Sequence, residues 1–228
     1  MDSTHKVEEI LGILQRKYLI NRYRNSSPFF ELIGTVLSHR TKDEVTWESA
    51  KKLLRIAPTP EKMLELSGRE ISKIIYPVGF YKQKAERIRE ICKIILKKYA
   101  GKVPDTREEL MELPGVGGKT ADIVLSHSFS QPVIAVDAHV VWVSNQLGWT
   151  VSKDPEKVRE DLHKLIPPRL RSDVNSLLVQ FGKDICNTGR PKCLKCMISK
   201  YCPNRRDNTN ISYRSLTRKR KRRNERQG

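Results

Sequence analysis

Cys186, Cys193, Cys196 and Cys202 fall within 17 residues in the spacing C-x6-C-x2-C-x5-C. The start of the chain, "MDSTHKVEEI", has neither the basic opening nor the apolar stretch of a secretory signal, and no apolar run approaches the length of a membrane span. The expected location is therefore inside the cell, where thiols stay reduced and four clustered cysteines suit a metal centre before disulfides. Zinc and an iron–sulfur cluster both accept four thiolates, and the donor set alone leaves both open. Cys92, the fifth cysteine, shares a helical apolar face with Ala85, Ile88, Ile91 and Ile95 and reads as a core thiol.

A second constellation is "LPGVGGKTA", residues 113 to 121. Its Gly-Lys-Thr is shared with phosphate-cradling nucleotide loops, but the glycine those loops need five positions before the Gly-Lys pair is Leu113 here. The preceding "TREELMEL" also reads as a short helix, not the strand such a loop follows. A turn between two helices fits better. Pro114 ends the first helix, and Gly115 and Gly117 are expected to permit positive φ and close approach of a ligand to backbone. The next helix then opens with free amide N–H groups and its positive dipole end, which suits a phosphate. Lys119 would stand at that helix start. The dipole, with a cleft that excludes water, would push its amine from an ordinary pKa of about 10.4 toward the neutral, nucleophilic form. Downstream, Asp137 in "IAVDAHVVW" can cap a helix beginning at Ala138.

The elements that must position these residues read almost entirely as helix. "PFFELIGTVLSHR" is apolar on most sides and is expected to be a buried central helix. Thr41 and Glu44 have capping-box spacing for the next helix, as do Thr106 and Glu109 for the helix before the turn. A long helix is expected from about residue 82 to 99, and further ones from 155 to 166 and 170 to 185, parted by Pro167 and Pro168. Only "PVIAVD" looks strand-like.

The formal net charge of the 228 residues is +18. From Asn204 onward ten basic residues face two acidic ones, so +10 remains on the first 203 and the folded part is itself basic. A polyanionic partner follows, and nucleic acid fits better than membrane because no basic amphipathic helix stands out. The end, "RSLTRKRKRRNERQG", is nearly devoid of apolar residues and is expected to be disordered when free.

The Gly-rich turn resembles the helix-hairpin-helix motif of DNA-repair proteins. Together with Lys119, "VDAH" and the cysteine spacing, it makes the chain similar to the helix-hairpin-helix base-excision glycosylases, and to the endonuclease III family in particular, over roughly residues 28 to 202. The resemblance implies an all-α fold of two helical lobes. Residues 27–132 would form a helical barrel lobe with the hairpin, and residues 1–26 with 133–203 an iron–sulfur lobe. Residues 204–228 would be the basic tail, and the active site would lie in the cleft between the lobes. It implies a [4Fe–4S] cluster on Cys186, Cys193, Cys196 and Cys202, with structural zinc as the alternative. The implied activity is that of a bifunctional DNA glycosylase and abasic-site lyase acting on damaged, oxidised pyrimidines in duplex DNA. Lys119 would be the Schiff-base nucleophile and Asp137 its catalytic partner.

Gly115, Val116, Gly117 and Gly118 would then hold the DNA backbone. Arg190, Lys192 and Lys195 in the cysteine loop, with Lys200 beside them, would face phosphates. His39, where family members commonly carry Gln, and Phe80 would fill the gap left by a flipped nucleotide. The chain would act as a monomer inside the cell, in the cytoplasm or nucleoid if the source is a prokaryote. Two rivals stand beside this reading: a mismatch glycosylase of the same superfamily, and a non-catalytic DNA-binding protein. Lys119 and a mere tail after Cys202 weigh against the first, and Lys119 with Asp137 against the second.

Overall fold

Ser27 accepts a hydrogen bond from the Phe30 amide, and Pro28 takes the first helical position, where its missing N–H costs nothing. Helix α2 (Pro28–Ser38) therefore starts where the apolar run starts. Phe29, Leu32, Ile33, Val36 and Leu37 are buried, and burying each aliphatic side chain contributes about 2 kcal/mol. As the pattern requires, this is a central helix, packed between α3 (Asp43–Ile56), α6 (Tyr81–Tyr99) and α8 (Gly118–Ser128).

The computed structural model describes residues 3–18 and 27–206; the segment expected as a tail lies outside them from residue 207 onward. The order is α1 (Ser3–Lys17), α2, α3, α4 (Pro60–Glu65), α5 (Gly68–Ile75), α6, α7 (Arg107–Met111), α8, α9 (Ala138–Gln146), α10 (Pro155–Leu165) and α11 (Pro168–Asp184). The described residues contain no strand. "PVIAVD" runs extended without a sheet partner, held by Ile134 N–H donating to His163 Nε2 (3.1 Å) and by Asn175 Nδ2 donating to Ala135 O (2.8 Å). No helix of the described residues is long and apolar enough to cross a membrane.

Buried apolar residues fall into two clusters. One runs from Phe29 to Leu125 and includes the α6 face of Ala85, Ile88, Ile91, Cys92 and Ile95. The other joins α1 to residues 134–198 through Leu11, Leu14, Val140, Leu162, Leu178 and Phe181. An ionic knot links the two sides. Asp122 of α8, only 1% exposed, accepts from Arg107 Nε of α7 at 3.2 Å and from Arg159 Nε of α10 at 2.9 Å. Arg107 also reaches Glu156 of α10 at 2.7 Å. Burial pushes the Asp122 carboxyl upward against the pull of both arginines, so removing either cation would leave a buried charge short of a partner.

One local expectation is overturned. Thr41 does not cap α3, whose N-cap is Lys42 without a side-chain hydrogen bond. The Thr41 hydroxyl is taken instead by the Gly79 amide at 3.1 Å and by the Lys84 ammonium at 3.2 Å. Thr106 does cap α7, and a full capping box stands at Ser67 and Glu70, at the start of α5.

Candidate active site

The hairpin turn lies between α7 and α8. Gly115 has φ +74, a conformation side chains rarely adopt, so glycine is needed there. Gly117 differs from expectation. It is the N-cap of α8 with extended backbone (φ −102, ψ 177). Its lack of a side chain matters for space: nothing lies within 4 Å of where a Cβ would stand. The turn is therefore open at Gly117, while Arg107 and Glu156 crowd Gly118 and buried Val116 pegs the turn to the first core. Gly118 opens the helix, and Lys119 follows it with an exposed side chain. The dipole position is as expected. The water-excluding cleft is not, since among the described residues nothing covers this lysine.

Asp137 is the N-cap of α9. Its Oδ1 accepts from the His139 and Val140 amides, both at 2.9 Å. Two fixed amides on one oxygen orient the carboxyl and leave Oδ2 to act on something else. The capping role is thus real and compatible with a second one.

Two loops flank this region. The α2–α3 loop carries His39, whose Nε2 is 3.2 Å from the hydroxyl of Thr120, the neighbour of Lys119 in α8. His39 is held below its ordinary pKa by burial, then by the nearby Lys84, Lys119 and Arg87 charges. The side chain beside Phe80 is not His39 but Arg40, whose guanidinium lies 5.6 Å from the ring centroid. Both adopt left-handed backbone, φ 53 at Arg40 and φ 57 at Phe80. Phe80 is 54% exposed although large and apolar. Spacing singles out His39 and Phe80 and does not single out Arg40, which follows His39 in the same loop and lies against the Phe80 ring.

Beneath these loops sits Lys84, also missed. It is 3% exposed, and its ammonium donates to Leu37 O (2.7 Å), His39 O (2.6 Å) and Thr41 Oγ1 (3.2 Å). Burial lowers its pKa to about 8, the Arg87 charge adding to the effect. The signal was available: Lys84 lies one turn before Ile88 on the apolar stripe of α6, where a lysine needs internal acceptors.

In the second lobe all four clustered cysteines line one pocket together with Phe181, Ile185, Pro191 and Ile198. Trp142 Nε1 donates to Cys186 O at 2.8 Å, and the Lys192 amide to Ile185 O at 2.9 Å, which fixes where the loop leaves α11. Burial pushes the Cys186 thiol up to about 12, and the neighbouring Cys202, Cys196 and Cys193 add to it; Cys196 and Cys202 are raised for the same reasons. A pocket that resists bare thiolates at Cys186, Cys196 and Cys202 is the environment a cationic centre reverses. Among the described residues no three or more His, Cys, Asp or Glu side chains converge as ligands of one ion. Arg190, Lys192 and Lys195 are exposed on this loop, Lys192 lying 3.9 Å from Asp184. Lys200 leans on its own surroundings, 3.8 Å from Glu9 and 4.6 Å from the Tyr201 ring centroid.

Residues 33–168 match the model of the HhH-GPD superfamily base excision DNA repair protein. Endonuclease III of Thermotoga maritima is 42% identical over 196 residues, spanning 86% of this chain and 92% of that one. Endonuclease III of Escherichia coli is 38% identical over 177 residues, spanning 78% and 84%. Among solved structures, the trapped endonuclease III–DNA covalent intermediate in its estranged-adenine complex superposes with TM-score 0.79 at 32% identity, over 90% of this chain and 97% of that one. A thermostable thymine-DNA glycosylase also superposes at TM-score 0.79, with 27% identity over 89% and 98%. The matched family model, the two relatives and the helical likeness together place this chain in the endonuclease III family of the HhH-GPD base excision repair superfamily.

Proposed function

We propose that Lys119 is the nucleophile, and Asp137 its partner, of a DNA glycosylase and abasic-site lyase that removes damaged pyrimidines from duplex DNA. The glycosylase and lyase activity is that of the family. The observation that carries the residue assignment is the hairpin: an exposed lysine two residues after the open N-cap Gly117, at the start of a helix beside two projecting loops. The open turn and the dipole end can hold a backbone phosphate, which brings a nucleotide flipped from the stack against Lys119. Bound DNA supplies the cover that the free protein lacks.

The Lys119 amine attacks C1′, and the base departs with the electrons of the glycosidic bond and takes up a proton. Asp137 Oδ2 faces the positive charge developing on the sugar and accepts the proton that the attacking amine loses. The nitrogen lone pair of the resulting aminal then expels O4′ from C1′, O4′ taking up a proton, and the ring-opened, protonated Schiff base makes the C2′ proton acidic. A base, water sufficing, takes that proton, its electron pair forms the C2′–C3′ double bond, and the C3′–O bond breaks so that the 3′ phosphate leaves and the strand is cut. Gly115 to Gly118, with Arg190, Lys192 and Lys195, grip phosphates on either side, while His39 and Phe80 stand at the vacated gap.

The division into a lobe of residues 27–132 and a lobe of residues 1–26 with 133–203 is supported by the two separate apolar clusters. Cys186, Cys193, Cys196 and Cys202 would hold a [4Fe–4S] cluster, a reading supported by family membership and by four thiols on one pocket. Such a centre would supply a rigid four-point staple with no coordination position for substrate. The setting would be the cell interior, and the working form a monomer.

Borohydride trapping on a duplex with one oxidised pyrimidine tests the assignment. Lys119→Gln should abolish both the covalent adduct and strand cleavage while DNA affinity stays within about twofold, since only a surface amine is lost. An adduct of undiminished yield would name another amine. Rapid removal of thymine from a thymine–guanine mismatch, with oxidised pyrimidines left untouched, would favour the mismatch reading.

A further inference from the structure

The loops carrying Arg40 and Phe80 come from distant parts of the chain yet meet in a single seam. A Cβ on Gly79 would stand 2.6 Å from the backbone oxygen of Arg40, so the loops touch where only glycine fits. Gly79 N–H donates to Thr41 Oγ1, and the Lys84 backbone amide donates to Phe80 O at 3.0 Å. The Lys84 ammonium, in turn, binds the Leu37 carbonyl at the end of α2 and the His39 carbonyl and Thr41 hydroxyl of the other loop. Val78, 1% exposed, plugs the second loop into the first core.

We propose that Lys84 is a positioning residue that locks the two loops into one rigid wedge, so that Arg40 and Phe80 enter the DNA stack as a unit. This rests on the reading of Phe80 as the gap-filling residue. The physics favours such a lock. A lone flexible loop pressed against a base pair yields, whereas extruding a nucleotide requires the stack to yield, at a cost of a few kcal/mol. Charge-assisted hydrogen bonds to backbone carbonyls resist displacement more strongly than neutral ones. Three acceptors around one ammonium also satisfy loop carbonyls that burial would otherwise strand. Lys84 touches neither Lys119 nor Asp137 in the described contacts, so its effect passes through loop geometry.

The test uses the full chain in four versions: wild type, Lys84→Met, Gly79→Ala and Phe80→Ala. Lys84→Met keeps the side-chain length without the charge. Gly79→Ala parts the seam at the half-buried contact of the two loops, away from the Lys84 ammonium, and so keeps the test valid if the buried substitution fails to fold. Three readings are taken: single-turnover base release from a duplex with one oxidised pyrimidine, 2-aminopurine fluorescence opposite the lesion, and cleavage of an abasic site in a single strand, which has no stack to open. The expected result is a fall of roughly tenfold or more in base release and loss of the fluorescence rise in all three variants, from the loss of charged hydrogen bonds or of the wedge. Single-strand cleavage should stay near the wild-type rate. Wild-type base release in Lys84→Met and Gly79→Ala beside a slow Phe80→Ala would overturn the lock alone. A neutral Phe80→Ala would overturn the wedge and the lock with it. Equal loss on the single strand would place Lys84 in catalysis or overall folding and overturn the proposal as well.

Discussion

The seam beneath Arg40 and Phe80 and the cysteine loop of residues 186–202 solve one problem in two ways. Each is irregular backbone projecting from a helical lobe, and each has one fully buried apolar plug, Val78 in the first and Ile198 in the second. They differ in the polar anchor. The first is tied by an ammonium that the chain carries within α6, with three acceptors in place. The second has short 3-10 turns (Cys193–Lys195 and Ser199–Tyr201) and four thiols on one pocket, of which Cys186, Cys196 and Cys202 are pushed up by burial and then by their cysteine neighbours. A loop anchored from within is complete when the chain folds. A loop anchored through thiols becomes rigid only when something cationic satisfies them.

That contrast is broken most sharply at the cysteines. With a [4Fe–4S] cluster bound as proposed, Cys196→Ser should remove iron and visible colour and loosen residues 186–202, costing several of the roughly 10 kcal/mol that a four-thiolate metal site can contribute. DNA affinity should fall with it, whereas the α2–α3 seam should be unaffected. Limited proteolysis and absorbance report both, and a coloured, protease-resistant variant would erase the distinction.

A smaller effect separates the two lobes by pH. His163 is a second-lobe anchor that must stay neutral, since its Nε2 accepts from the Ile134 amide. Burial, and then the charges of Arg159, Arg171 and Arg107, lower its pKa from 6.5 to about 4. As pH falls through 6.5 the unfolded chain takes up a proton that the folded one refuses until about 4, so stability is lost across that window and not above it. The loss should reach about 2 kcal/mol. His163→Gln, which keeps an acceptor, should flatten this part of the melting-temperature profile; an unchanged slope would remove His163 as the cause.

The smallest effect is expected at Arg40→Ala. This exposed cation over the Phe80 ring is worth about 0.5–1 kcal/mol, so affinity for a damaged duplex should drop only a few-fold while the seam holds. A loss as large as that of Lys84→Met would mean that the tip, not the buried anchor, keeps the wedge in shape.

Much of the fold was legible because its signals are local. The α2 run, the apolar stripe of α6, the break at Pro167 and Pro168, and Asp137 before Ala138 all follow from periodicity and capping chemistry acting over a few residues. Thr41 shows where local reading stops. Its spacing to Glu44 spells a cap, but a lysine 43 positions away and a glycine 38 away compete for the same hydroxyl and win. Gly117 was read as a glycine of conformation and proves to be one of open space, a distinction set by neighbours that the sequence does not name. Lys84 was half legible: its place on an apolar stripe announced a buried charge, but its acceptors could not be assigned.

Residue types and spacing by themselves determined the helical class, the glycine-lysine turn, the cysteine set and the charge that calls for a polyanion, because each depends on neighbours within a few turns of chain. Only the tertiary structure decided that Asp122 joins α8 to α10, that Arg40 rather than His39 meets Phe80, and that one ammonium ties two loops together. Those are pairings between groups far apart in sequence. Which donor meets which acceptor is settled by packing, since a buried polar group takes whatever partner the folded chain brings within reach.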